Sequence, residues 1–401
     1  MTGCLEAGQA QSITVGDAVR AALPKFSQTH RLPAHHWKVL RAIAACHTPA
    51  LGGHQYRCTN CQREHFVPHS CGNRHCPSCQ KLNAAQWLEQ QTEHLLPIPY
   101  FHVVFTLPHE LNSLIRHNQA SLYSLLFSSA TATLLEFGRN NLQATLGITA
   151  VLHTWGQNLH FHPHLHCVVP GGGLSPDRKR WIAGRRRFLL PVRVLSALFR
   201  RLFLEDLEKA YAAGQLRFFG DLEPLHHPQS FARFLAPLKK RPWVVYAKAP
   251  FGGPQHVLEY LGRYTHRVAI SNRRLLALEH GQVSFQWKDY RDARQQQKVM
   301  TVPAEEFIRR FLQHALPSGL QRIRYYGFLA NCHRAGRLDL CRQLLATLCS
   351  GLLPRPAEVR DFYAAIAGRN LRLCPHCGIG ILSRILVLPG HGSTPLRQDS
   401  S

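Results

Sequence analysis

Two pairs of cysteines, Cys58 with Cys61 in "CTNC" and Cys76 with Cys79 in "CPSC", stand with fourteen residues between them. The stretch around them, Cys46 to Cys79, is poor in long apolar runs. Such a segment cannot close a core by itself and needs a metal to hold it. Each C-x2-C turn offers two thiolates to one ion, and two turns complete a tetrahedron. The spacing predicts a structural zinc on Cys58, Cys61, Cys76 and Cys79, with no position left for water. Cys46, His54, Cys71 and His75 form a weaker candidate second set. "CPHC" at 374–377 is half a site, and Cys332 and Cys341 are candidates to complete it. The plain alternative is a group of reduced, unmetallated thiols.

Charge narrows the partner. The 401 residues carry 48 Lys and Arg against 23 Asp and Glu, a formal net charge of +25. Self-repulsion of that size suits a polyanionic partner, of which nucleic acid is the commonest. Denser basic runs occur at "RKRWIAGRRRF" (178–188), "LKKR" (238–241) and around Tyr290. They lie between apolar segments and read as one face of a folded protein. No apolar run reaches the ~18–20 residues that span a bilayer, and the first twenty residues lack a signal peptide's basic and apolar regions. A cytosolic location with no membrane partner is expected, so the thirteen cysteines are not read as a disulfide framework.

Along the chain, residues 1–30 read as a weakly ordered leader joined to a short helix, and 31–97 as the metal-bearing unit, closed by "PIP" at 97–99. In 98–275 strands alternate with long helices. Strands are expected at 100–108, at 147–155, through "HLHCVVPGGG" and at "WVVYAKAP"; helices are expected at 119–137, at 193–211 and through "GPQHVLEYLGRYTHR". Residues 276–401 read as strands at 282–287 and 298–302, then helices, then the "CPHC" loop.

The stretch "HFHPHLHCVV" places His160, His162, His164 and His166 within seven positions. On a strand, His164 and His166 point to one face, where both imidazoles can reach a divalent ion, while Leu165 and Cys167 face the core. Alone, an H-x-H pair among 26 histidines is weak. A later helix adds weight: Tyr260 and Tyr264 stand one turn apart, with phenols about 6 Å from each other. Arg263, His266 and Arg267 share that segment, which runs on to Arg273 and Arg274. Two phenols in a basic segment look less like core.

These motifs together resemble the HUH-type single-strand endonucleases, in particular the two-tyrosine rolling-circle transposases of insertion sequence ninety-one type. The resemblance runs from about His35 to Gly378. "ALGGH" and "CGNRHCPSCQ" look like that family's zinc-binding N-terminus, "FTLP" like its first motif, "HTWGQNLHFHPHLHCVVPGGGL" like its metal motif and "YLGRYTHR" like its nucleophile motif. The resemblance implies an α+β fold: an antiparallel nuclease sheet with packed helices, a small N-terminal zinc domain and a mostly helical C-terminal region. It implies His164 and His166 as ligands of magnesium or manganese, with His153 or Gln157 as candidates for a third, and Tyr260 and Tyr264 as nucleophiles. The implied reaction joins a tyrosine to a 5′-phosphate of single-stranded DNA and frees a 3′-hydroxyl. Arg185, Arg186, Arg187, Arg263, Arg267, Arg273 and Arg274 become candidate DNA contacts. His160 and His162 are expected in a loop or at the DNA, and Trp155, Phe161 and Trp181 either stack on bases or belong to the core. The implied place of work is the cytoplasm, at the nucleoid. Two alternatives stay open: a plasmid replication initiator or relaxase with the same chemistry, and a zinc-dependent DNA-binding regulator whose tyrosines are core.

Overall fold

A computed structural model describes residues 13–185, 191–248, 257, 268–289, 297–346 and 373–390. Helix α1 (Val15–Thr29) opens with a capping box in which the Thr14 hydroxyl accepts from the Asp17 amide while the Asp17 carboxylate accepts from the Thr14 amide. Val15, Ala18, Val19, Ala22 and Phe26 form a buried stripe at helical spacing. Residues 15–29, within the stretch expected as a leader joined to a short helix, form a 15-residue helix that is part of a core. They share it with α2 (Ala34–Ala45) and with the apolar side of helix Ala304–Leu312.

Strands β1 (Gly52–Cys58) and β2 (Glu64–Pro68) pair antiparallel. The central sheet is built from β3 (Tyr100–Thr106), β4 (Thr145–Trp155), β5 (Phe161–Pro170), β6 (Gly172–Leu174), β7 (Trp181–Ala183) and β8 (Val245–Lys248), in the order β7-β6-β4-β5-β3-β8. A three-stranded antiparallel sheet, β9 (Leu275–Glu279), β10 (Gln282–Lys288) and β11 (Gln297–Pro303), lies against the N-terminal helices. β12 (Ile323–Gly327) returns to the central sheet and pairs with β4. Gly327 closes that strand at φ +64°, where a side-chain carbon would sit 1.7 Å from the Leu146 carbonyl oxygen, so only glycine fits. β13 (Leu382–Pro389) pairs antiparallel with β1, giving the order β13-β1-β2. Among the described residues no helix is long and apolar enough to cross a membrane.

Strand alternation gives the central sheet two unlike faces. Phe101, Val103 and Phe105, Ile148, Ala150 and Leu152, Leu165, Cys167 and Val169 point to one side and are buried. Helices Gln119–Leu142, Val192–Ala212 and Pro228–Lys240 cover that side with Leu126, Phe127, Phe199, Phe203, Phe231 and Leu235. Phe161 and Trp181 are also buried, as core rather than as exposed platforms. The intervening residues, among them His102, His153, His164 and His166, point to the opposite face.

Packing does not follow the sequential units. Arg74, in the cysteine-rich loop, donates to the carbonyl oxygens of Leu316, Pro317 and Leu320. The buried His75 ring accepts from the Leu316 amide. The segment they hold leads directly into β12, and so into the central sheet.

Candidate metal centres and the histidine face

Register sets the histidine positions. His164 pairs across from His153 on β4, and His166 lies between Val151 on β4 and Val104 on β3. His153, His164 and His166 each bring a ring nitrogen within 4.8 Å of the others'. Of the two candidates for a third partner, His153 is the one brought to the pair. Gln157 lies in the turn after β4, where its backbone carbonyl accepts from Arg274. The ring of His153 is buried, and its centroid lies 4.6 Å from the half-buried Trp155, stacked.

Hydrogen bonds orient two of these rings. His164 Nδ1 lies 2.7 Å from the His162 carbonyl oxygen. A carbonyl can only accept, so the proton is on Nδ1 and the lone pair of His164 is on Nε2. His166 Nδ1 lies 2.9 Å from Nε2 of the buried His102. Burial pushes the His164 pKa down to about 4, with neighbouring His162 adding to it. Burial, then the nearby Lys248, pushes His102 down to about 3. Neutral imidazole, the form that binds metal, is thus favoured in the face. His102 was missed in the sequence; its signal was a lone histidine alternating with apolar residues in "YFHVVFT", in phase with the H-x-H strand. His162 is an exposed strand residue, and His160 lies in the connecting turn.

The cysteines form two tetrads, and neither is the predicted one. Cys46, Cys71, Cys76 and Cys79 meet in one cluster, with sulfur separations of 3.5 Å for Cys46–Cys79 and Cys46–Cys76 and 3.6 Å for Cys71–Cys79. Cys58 and Cys61 meet Cys374 and Cys377 in the other. The predicted set Cys58, Cys61, Cys76 and Cys79 is split because β1 carries its knuckle away toward β13, while Cys46, ending α2, reaches the second knuckle. Neither histidine of the weaker set joins a tetrad. His54 Nε2 lies 3.3 Å from His69 Nε2, and His75 is held by Leu316. Cys341 is buried among Leu338 and Leu345, and Cys332 is exposed; neither completes "CPHC".

The basic residues divide as well. Arg185 and Arg273 are exposed. Arg274 is half-buried, and its guanidinium donates to the Gln286 and Gln157 carbonyls and lies over the Phe285 ring. Tyr260, Tyr264, Arg186, Arg187, Arg263 and Arg267 lie outside the described residues. Val257 is fully buried in one cluster with Tyr100 and Val168, whose side chains share the histidine face by strand alternation. Val268 and Ala269 line a pocket with Trp155 and His314.

Comparison with known proteins agrees with this layout. A family described as "Transposase zinc-binding domain" matches residues 18–107, and one described as "Putative transposase" matches 147–336. The chain is 51% identical over 390 residues to "Putative transposase y4qJ" of Sinorhizobium fredii, covering 96% of each chain. It is 30% identical over 299 residues to the transposase for insertion sequence element IS801 of Pseudomonas savastanoi pv. phaseolicola, covering 72% of this chain and 69% of the other. A solved structure of the conjugative relaxase TrwC in complex with oriT DNA aligns over 61% of this chain and 72% of that one, at 14% identity and a TM-score of 0.24, too slight to bear on the chemistry. Identity of 51% over nearly the full length of one transposase, with Cys46, Cys71, Cys76 and Cys79 inside the zinc-binding family match and His153, His164 and His166 inside the other, places the chain among the IS91-type transposases that carry an N-terminal zinc-binding domain.

Proposed function

We propose that the protein cleaves and rejoins single-stranded DNA at the ends of a mobile element, through 5′-phosphotyrosyl intermediates, in rolling-circle transposition. The observation that carries this reading is the set of three imidazoles converging on one face of the central sheet. His153, His164 and His166, three nitrogen donors from two adjacent strands, would hold a divalent ion with fewer protein ligands than a closed four-ligand site. This donor set fits a divalent cation, and manganese better than magnesium, which prefers oxygen. Bound there, the ion would polarise the scissile phosphate and stabilise the departing oxygen.

The chain's own residues do the rest. His164 presents Nε2 because His162 engages its Nδ1. His166 is oriented through Nδ1 by His102, a positioning residue. The hydroxyl oxygen of Tyr260 or Tyr264 attacks phosphorus as its proton leaves to solvent. The new P–O(Tyr) bond replaces the P–O3′ bond, and the released 3′ oxygen takes up a proton. The aryl ester conserves the phosphodiester for the reverse attack by a 3′-hydroxyl, and a second phenol allows a second cut while the first end is held. Two observations support the tyrosines' part in this. Val257, three residues ahead of Tyr260, is buried over the histidine face, and Val268, four residues after Tyr264, shares a pocket with Trp155, which stacks on His153.

Cys46, Cys71, Cys76 and Cys79 would hold a structural zinc, with four protein ligands and no open position. The excess of positive charge, with Arg185, Arg186, Arg187, Arg263, Arg267 and Arg273 contributing, favours the DNA backbone and a place of work at the nucleoid. The test is direct. The protein is incubated with manganese and single-stranded DNA carrying an element end, then boiled in detergent and run on a gel. A covalent protein–DNA band is expected, lost in Tyr260→Phe/Tyr264→Phe; a band that persists in that double variant refutes the tyrosine chemistry.

A further inference from the structure

The tetrad formed by Cys58, Cys61, Cys374 and Cys377 draws its halves from opposite ends of the chain, 313 and 319 positions apart across the two closest pairs. Its sulfur spacings match those of four thiolates around one ion. Cys58 Sγ lies 3.6 Å from Cys377 Sγ, and Cys61 Sγ lies 3.8 Å from Cys374 Sγ. Thiolates bound tetrahedrally to zinc at ~2.3 Å stand about 3.8 Å apart. A disulfide would need about 2.05 Å.

The two half-sites are built alike. In the first, the amides of Asn60 and Cys61 point at Cys58 Sγ, each at 3.4 Å. In the second, the amide of His376 points at Cys374 Sγ and that of Gly380 at Cys377 Sγ, each at 3.4 Å. Amides directed at sulfur stabilise thiolates, the form that binds metal. Each turn closes on itself: the Cys58 amide donates to the Arg63 carbonyl, and the Cys374 amide donates to the Gly380 carbonyl. The turns also grip each other, since the Thr59 amide donates to the Ile381 carbonyl and the Ile381 amide to the Thr59 hydroxyl. Gly380 shows how closely they meet. A side-chain carbon there would lie 2.4 Å from Cys58 Sγ and 2.7 Å from Asn60 Cβ.

We propose that these four cysteines hold a second structural zinc that fastens residues 373–390 onto the N-terminal unit, making the end of the chain an obligatory part of its beginning. β13 continues from the second turn and adds as a third strand to β1 and β2. The N-terminal unit is thus complete only when residues 373–390 have been made. The Cys46 tetrad needs nothing beyond residue 79 for its ligands, so the two sites differ in when they can form.

Zinc is counted by elemental analysis and by native mass spectrometry of the intact full-length protein, after dialysis against a mild chelator that strips the histidine face. Two tightly held zinc ions per chain are expected. Cys374→Ser/Cys377→Ser should hold one, and release residues 373–390 to limited proteolysis. Cys377→His, which keeps four ligands, should restore both the second zinc and the protection. Gly380→Val keeps every cysteine and should weaken the second site through crowding alone. One zinc in the wild type, or two in Cys374→Ser/Cys377→Ser, would overturn the proposal. A wild type with two zinc ions whose C-terminus is cleaved as fast as the variant's overturns the fastening role.

Discussion

The cysteine tetrads and the histidine trio are both clusters of metal-ligating side chains, yet they are built to opposite plans. Each tetrad gathers four sulfurs from turns and helix ends, in segments with little core of their own. The trio gathers three nitrogens from two adjacent strands of the central sheet, whose other face is a buried apolar core. Four thiolates saturate a tetrahedral ion, whereas three imidazoles would leave it a free coordination position. On the proposed reading, the ion would hold the protein in the first kind of site, and the protein would hold the ion in the second. The difference can be tested because removing a ligand should have opposite consequences in the two places.

Cys71→Ser is expected to have the largest effect. A structural zinc contributes on the order of 10 kcal/mol of folding free energy in small domains, comparable to the ~5–15 kcal/mol stability of a whole domain. The variant should lose one zinc and expose the α1–α2 core, measured as lost cooperative melting and as proteolysis near residue 79. His164→Ala should do the reverse. Its sheet is held by the opposite, apolar face, so the melting temperature should stay within a few degrees, while cleavage falls about 10²–10³-fold, the loss of ~3–4 kcal/mol of transition-state stabilisation. If Cys71→Ser melts normally, or His164→Ala unfolds, the contrast between the two kinds of site is wrong.

Arg74→Ala probes a tie between the two plans. Its guanidinium donates to three carbonyls in the segment leading to β12, which pairs with the strand bearing His153. Charge-assisted bonds are worth ~1.5–3 kcal/mol each and do not add fully, so a loss of about 3 kcal/mol is expected in denaturant unfolding. A loss below 1 kcal/mol would mean the cysteine loop and the sheet are held together elsewhere.

What the sequence showed and what it hid follow the same division. The sheet was legible because strand alternation is local: "HPHLHC" carries its own inward and outward faces, and 147–155 and 100–108 announce themselves by β-branched and aromatic residues. The pairing of cysteine turns was not legible, because every C-x2-C turn offers the same two thiolates. Which turns meet was decided by β1 pairing with a strand more than 300 residues away. The choice of nearest neighbours, Cys58 and Cys61 with Cys76 and Cys79, followed sequence distance where the fold followed strand pairing. The stripe of Val15, Ala18, Val19, Ala22 and Phe26 was readable in "VGDAVRAALPKF", but its partner, helix Ala304–Leu312, lies far along the chain. His102 went unnoticed because its meaning depends on β3 lying beside β5, a neighbour relation no local pattern encodes.

His102 supplies the smallest and sharpest test of the trio. It contributes no ligand atom to the cluster; it holds His166 through a 2.9 Å bond to Nδ1. A residue of that kind acts on orientation, and its loss costs ~10–100-fold in metal affinity. His102→Ala is expected to weaken manganese binding by that factor, measured by calorimetry, and cleavage at limiting manganese should fall in proportion. Saturating manganese should restore most of the cleavage, because all three ligands remain. His102→Gln, which can still donate or accept toward Nδ1, should recover part of the affinity. A purely packing role predicts a different pattern: a lower melting temperature, no recovery with added ion, and glutamine no better than alanine.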